Sequence, residues 1–163
     1  MLKDIILREI GTFTRTIHAI VETKFKTLNL KKGQFLYLTR ICENPGISAM
    51  ELSQLLMVDK TTTSKVIQKL MAEDFVVKRQ DTDDKRSFQL YPTEKANSAY
   101  EIIIEEENRQ IELCYKDFTE EEKALALKII QKMKGNVEDD WYLMKNYKSS
   151  DSKDNSNTKR SLR

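Results

Sequence analysis

Val58 to Thr93 reads VDKTTTSKVIQKLMAEDFVVKRQDTDDKRSFQLYPT, and its periodicity changes three times along the way. Val66, Ile67 and Leu70, with the Thr63 methyl one turn earlier, recur at spacings of three and four. Such spacing predicts a helix with one buried stripe. Phe75-Val76-Val77 then opens a β-branched and aromatic run, read as a strand. Asp81-Thr82-Asp83-Asp84-Lys85-Arg86 has no apolar residue and is expected to form a hairpin tip. Beyond it, Phe88, Leu90 and Pro92 alternate with Ser87, Gln89 and Tyr91, the period of a half-buried strand.

The side of this helix opposite its stripe carries Thr61, Lys65 and Gln68, flanked by Thr62, Ser64 and Lys69. It offers hydroxyl, amide and ammonium donors, with no carboxylate after Asp59 and no bulky apolar group. A polar face alone is equally well a solvated one. It also suits the DNA major groove, where hydroxyls and Gln read base edges and Lys meets phosphate or guanine. The neighbours favour the second reading, because a helix followed by a charged two-stranded wing is the winged helix-turn-helix arrangement.

The run from Thr61 through Arg86 resembles the MarR family of bacterial transcription regulators. A Ser/Thr-rich recognition helix, a helix end, a strand, an Asp-x-x-Asp-x-Arg wing tip, a strand and a Pro-Thr helix start follow in that order. Asp81, Asp84, Arg86 and Thr93 match in position and spacing. The resemblance implies that Arg86 enters the minor groove and that Asp84 holds it, and Lys85 lies between them in the same charged tip. In two places the chain departs from the family pattern. Asp74 stands where a Gly usually ends the recognition helix, and Ala96 replaces another common Gly. Asp tolerates the left-handed backbone better than most residues, and Ala suits a helix interior, so the fold is expected to survive both changes.

With 163 residues the chain is long enough for one domain with a sizeable core, or one domain and a tail. Hydrophobic residues make up 39% and charged residues 33%, with four Gly and two Pro, which points to a mainly helical protein. Neither a membrane-spanning run nor a signal-peptide pattern is present, so the expected compartment is the cytoplasm. Net charge is only +2, but its distribution is uneven. By segment it is +3 over 1–58, +1 over 59–92, −6 over 93–144 and +4 over 145–163. The acidic block therefore lies apart from the expected reading head.

Leu2, Ile5, Ile6, Ile10, Phe13, Ile17, Val21 and Phe25 predict a first helix whose apolar face exceeds what a small head can cover. The surplus is read as a dimer interface. Leu30 to Leu38 opens a second helix, stopped by Pro45-Gly46, and its Gln34-Phe35 start is again similar to the MarR family. Ser48 and Glu51 form a capping box for a third helix with Leu52, Leu55 and Leu56 on its buried side. Thr93 starts a long helix through Tyr100, Ile103, Ile104 and Ile111, with Glu105-Glu106-Glu107 expected as a solvated face. Thr119 and Glu122 form another capping box, opening a last helix with a stripe at Leu125, Ile129, Met133, Val137, Trp141 and Met144. Gly135 is a place where it could bend. From Ser149 onward the polar composition predicts disorder.

The expected architecture is mainly α with a small β-hairpin wing. It assigns 1–29 to a dimerisation helix, 30–92 to a winged helix-turn-helix head, 93–146 to dimerisation helices and 147–163 to a tail. One histidine, His18, cannot complete a catalytic triad or a metal site, and there is no Gly-rich phosphate loop. No catalytic, cofactor or metal-binding residue is assigned, and an enzyme is not expected. Cys42 and Cys114 are read as small core residues. Neither lies on the first helix, where peroxide-sensing members of the family carry theirs. The expected partners are double-stranded DNA, a second copy of the chain and, by resemblance, a small apolar or aromatic effector. The reading is a sequence-specific DNA-binding regulator, a repressor, with Thr61, Thr62, Ser64, Lys65, Gln68, Lys69, Asp84, Lys85 and Arg86 at the DNA. The alternative is a winged-helix dimer whose groove face binds a protein, disfavoured because such helices usually present apolar or aromatic anchors.

Overall fold

Caps and turns written in the chain set many of the element boundaries. The computed structural model describes residues 3–30, 33–80 and 88–157, with the side chains of 146–157 excepted. In order come α1 (Ile6–Lys24), a 3-10 turn (Phe25–Leu28), α2 (Gln34–Glu43), β1 (Ile47–Ser48) and α3 (Ala49–Leu55). Then follow α4 (Lys60–Ala72), β2 (Val76–Gln80), β3 (Phe88–Pro92), α5 (Glu94–Cys114) and α6 (Glu120–Asn157). The chain divides between Cys114 and Tyr115 into two compact units, the second containing α6.

The first unit has one core. Phe35, Leu38 and Ile41 of α2, Leu52 of α3, Ile67 and Leu70 of α4, Leu90 of β3 and Ile103 of α5 are all buried in it. Full burial of each such side chain is worth about 1.5–3 kcal/mol. From α1 only Val21 is buried, with Ile17 packed against the core, while Ile5, Ile6, Phe13 and Ile20 are exposed. The excess apolar face expected of the first helix is therefore real within the single chain. In α6, Leu125, Ile129, Val137 and Met144 of the expected stripe are likewise exposed, and Gly135 lies inside the helix.

The wing is part of a three-stranded antiparallel sheet in the order β1-β3-β2. Two-residue β1 pairs Ile47 with Leu90 and Ser48 with Gln89. Too short to show a period, it carries no strand signal of its own in the chain. Val76 pairs with Pro92, Lys78 with Leu90 and Gln80 with Phe88, so the hairpin register agrees with the alternation read from β3.

Several expectations need correction. Helix α2 starts at Gln34 rather than Leu30, because Gly33 takes a left-handed φ of 73° just before it. Leu55 is 47% exposed, not buried. Leu52, Ser53 and Leu56 define the inward side of α3, and Leu55 is about 100° from Leu56 and about 160° from Ser53 around the helix. Phe88 is exposed at the distal end of β3, beyond the reach of the core, and Ile111 is exposed near the end of α5. Glu106 is not solvated: it is only 7% exposed and continues the buried α5 stripe of Ala96, Ala99 and Ile103 towards Gln110. Helix α6 runs to Asn157, past the boundary expected at 146, and no Gly or Pro after Gly135 interrupts it.

Candidate nucleic-acid interface

Helix α4 is capped at both ends by residues that fix where its outer face begins and stops. Asp59 is the N-cap, accepting the Thr62 amide at 2.8 Å and the Thr62 hydroxyl at 2.6 Å. Those two bonds, the hydroxyl first, hold its carboxyl below the usual carboxylate range. It stays ionised at the positive end of the helix dipole. Before it, Met57 adopts a φ of 54°, making the tight turn from α3. The other helix of the pair begins with the predicted capping box, in which the Ser48 amide donates to Glu51 at 2.8 Å and the Glu51 amide to Ser48 at 3.2 Å.

At its C-terminus α4 closes in a Schellman motif. The Phe75 amide donates to Leu70 O at 2.8 Å and the Asp74 amide to Met71 O at 3.1 Å. Asp74 carries φ 58°, the left-handed conformation expected of the residue that replaces a family Gly. Between these caps Thr63, Ile67 and Leu70 are buried, and Val66 is half-buried. Tyr37 of α2 lies within the same core. Burial pushes its phenol up, partly offset by the Thr63 hydroxyl, with the Asp59 charge adding to the rise. Thr63 is buried while its helix neighbours Thr61, Thr62, Ser64 and Lys65 face out.

Thr61, Thr62, Ser64, Lys65, Gln68 and Lys69 are all exposed on one contiguous side of α4. Thr62 differs from the others in that its hydroxyl donates its hydrogen to Asp59, leaving an acceptor oxygen and a methyl for an outside partner. Asp84, Lys85 and Arg86, assigned to the wing tip, lie outside the described residues. The body of the wing adds two cations that sequence reasoning did not single out. The Arg79 guanidinium lies 4.7 Å from the centre of the Tyr91 ring, and Lys78 Nζ lies 5.5 Å from that of Phe88. Both are exposed, and the ring beneath each restricts where its charge can point. The available signal was cross-strand: both basic residues oppose an aromatic strand in a register that the alternation already implied.

Other features narrow the chemistry. Among the described residues no group of three or more His, Cys, Asp or Glu is placed to hold a metal ion. None of the described helices is long and apolar enough to cross a membrane. Cys42 is free and half-buried, and burial first, then Glu43, pushes its thiol up to about 11, far from thiolate reactivity. His18 stacks edge-on against Phe35 at 5.8 Å. Between the end of α1 and α5 lies a cavity of about 310 Å³ lined by Lys24, Phe25, Ile102, Glu105, Glu106 and Arg109.

Comparison with known proteins agrees with this geometry. Residues 30–88 match the model of the MarR family. A Bacillus subtilis HTH-type transcriptional regulator, YybA, is 39% identical over 140 residues, covering 86% of this chain and 93% of the relative. A MarR protein from Peptoclostridium difficile superposes with a TM-score of 0.84 at 53% identity, covering 88% of this chain and 94% of that one. A MarR family regulator from Listeria monocytogenes, solved in complex with a 26-mer DNA, gives a TM-score of 0.85 at 41% identity, with 89% and 96% covered. Sequence, fold and the exposed polar face of a doubly capped α4 converge on one conclusion: this chain belongs to the MarR family of winged helix-turn-helix transcriptional regulators.

Proposed function

We propose that the chain is a sequence-specific repressor that binds a pseudo-palindromic operator as a homodimer in the cytoplasm. Each α4 would lie in a major groove, with Thr61, Ser64, Lys65 and Gln68 toward base edges and Thr62 and Lys69 at the flanks. Arg86, held by Asp84 and accompanied by Lys85, would enter the neighbouring minor groove. The observation that carries this reading is the exposed face of α4, which presents hydroxyl, amide and ammonium groups, with Met71, 37% exposed, only at its edge beside Ser64. The DNA complex of the Listeria relative supports the choice of partner. Exposed apolar side chains on α1 and α6, such as Phe13 and Ile129, support self-association.

Ligand control belongs to the same proposal. A small apolar or aromatic effector could release DNA only by binding one separation of the two heads better than the other. The cavity beside Phe25 and Ile102 has about 310 Å³, at the lower end of small-molecule sites.

The test is selection from randomised duplex DNA by the wild-type chain and by Lys65→Ala. The wild type should enrich one two-fold symmetric motif, and the variant should change base preference at one or two positions within it. Enrichment of no sequence by the wild type would overturn the reading. A uniform loss of affinity in the variant would move Lys65 to the phosphates.

A further inference from the structure

Three consecutive carbonyls at the end of the recognition helix are held by two side chains and one amide from the start of α5. Lys95 Nζ donates to Glu73 O at 2.6 Å. The Thr93 hydroxyl donates to Asp74 O at 2.8 Å, and the Thr93 amide donates to Phe75 O at 3.0 Å. The same Thr93 hydroxyl accepts the Ala96 amide at 3.2 Å, so it caps α5 while gripping the end of α4. The Lys95 ammonium also lies 4.3 Å from the centre of the ring of Phe75, itself buried at the root of the wing.

We propose that Lys95 is a positioning residue for DNA recognition, locking the C-terminal end of α4 to the first turn of α5. This rests on the DNA-binding reading of α4 and goes beyond it by naming how the reading helix is fixed to a long helix of the same unit. The physical need is specific. Asp74 is in the left-handed conformation, where a non-glycine residue is strained, and the last carbonyls of a helix lack intrahelical donors. A lysine ammonium at that end satisfies one carbonyl and complements the negative end of the helix dipole. Because the donor belongs to another element, it also sets the angle between α4 and α5, which local capping cannot do. A recognition helix held in its binding orientation loses less conformational freedom on docking.

The test compares Lys95→Met, which keeps the alkyl stem over Phe75, with Lys95→Arg, which keeps a cationic donor. Amide hydrogen exchange in the DNA-free protein should accelerate in the last turn of α4 and at Asp74 and Phe75 in the methionine variant. It should return towards wild type in the arginine variant. On a duplex recovered by selection, Lys95→Met should bind about five- to tenfold more weakly, with the slope of affinity against salt unchanged. Unchanged exchange in the last turn of α4 would overturn the clamp. Weaker binding with a slope shallower by about one counterion would also overturn it, by making Lys95 a phosphate contact. Wild-type protein that recovers no sequence would remove the DNA-binding reading, while the exchange experiment would still decide whether the clamp exists.

Discussion

Asp74 and Glu106 show how much a single side chain can tell and hide. At Asp74, a Gly would relieve left-handed strain of about 1–2 kcal/mol while adding about 0.4–1 kcal/mol of unfolded-state entropy. The first term is larger, so Asp74→Gly should stabilise the fold by about 0.5 kcal/mol, read as a higher urea midpoint at unchanged slope. That position was legible in the sequence, because the helix signal stopped there and only a few residue types tolerate the turn. Glu106 was not legible. A run of three glutamates looks solvated, yet Glu106 accepts bonds from Arg109 Nε at 2.8 Å, from Gln110 at 2.7 Å and from Lys24. Nothing local announces Lys24, which is 82 residues away. These partners, Arg109 first, hold its carboxyl well below the usual carboxylate range. A depressed carboxylate contributes stability above its unfolded pKa of about 4.3 and loses it as pH falls towards the folded value. Glu106→Gln should therefore cost about 1–3 kcal/mol at pH 7 and markedly less at pH 3, the cost moderated because Lys24 and Arg109 are both partly exposed. Denaturant titrations at the two pH values check this, and an equal cost at both would contradict it.

At the scale of elements, the proposed DNA contacts of α4 and of the wing differ in what they would demand. The stripe of α4 was legible because Thr63, Ile67 and Leu70 repeat at helical spacing, and its outer face followed from geometry alone. Strand β1 and the inward side of α3 were not, since two residues have no period and a seven-residue helix fixes its rotation only through contacts made elsewhere. The site divides in the same way: Lys65 and Gln68 could be read from period, but Arg79 over Tyr91 needed the strand pairing. Arg86→Ala is expected to weaken binding most on operators flanked by narrow, A·T-rich minor grooves, by roughly 1–3 kcal/mol on the better flank. Binding to duplexes differing only in that flank checks it, and an equal loss on both would make Arg86 a phosphate contact. Arg79→Ala, by contrast, should reduce affinity evenly across sequences and flatten the salt slope by about one.

For the whole molecule, the question is why a small reading head carries so much additional helix. The head needs only the C-terminal end of α1, where Val21 is buried, yet the helix extends well before it with Ile6 and Phe13 exposed. Most of the apolar stripe of α6 is exposed in the single chain as well. Such surface is costly to leave in water at about 25 cal/mol per Å², and a second copy is the occupant that the proposed two-fold symmetric operator would require. Phe13→Glu should therefore shift the chain from dimer to monomer in sedimentation without unfolding it, because that ring is 56% exposed in the isolated chain. The most direct test of the whole account is the affinity of the wild-type chain for its selected duplex, compared with the same duplex carrying five extra base pairs between the half-sites. Half a helical turn rotates one half-site to the opposite face, so the account predicts binding reduced to the level of random DNA, with two chains bound per intact site. Equal affinity for both duplexes, or one chain bound per intact site, would contradict it.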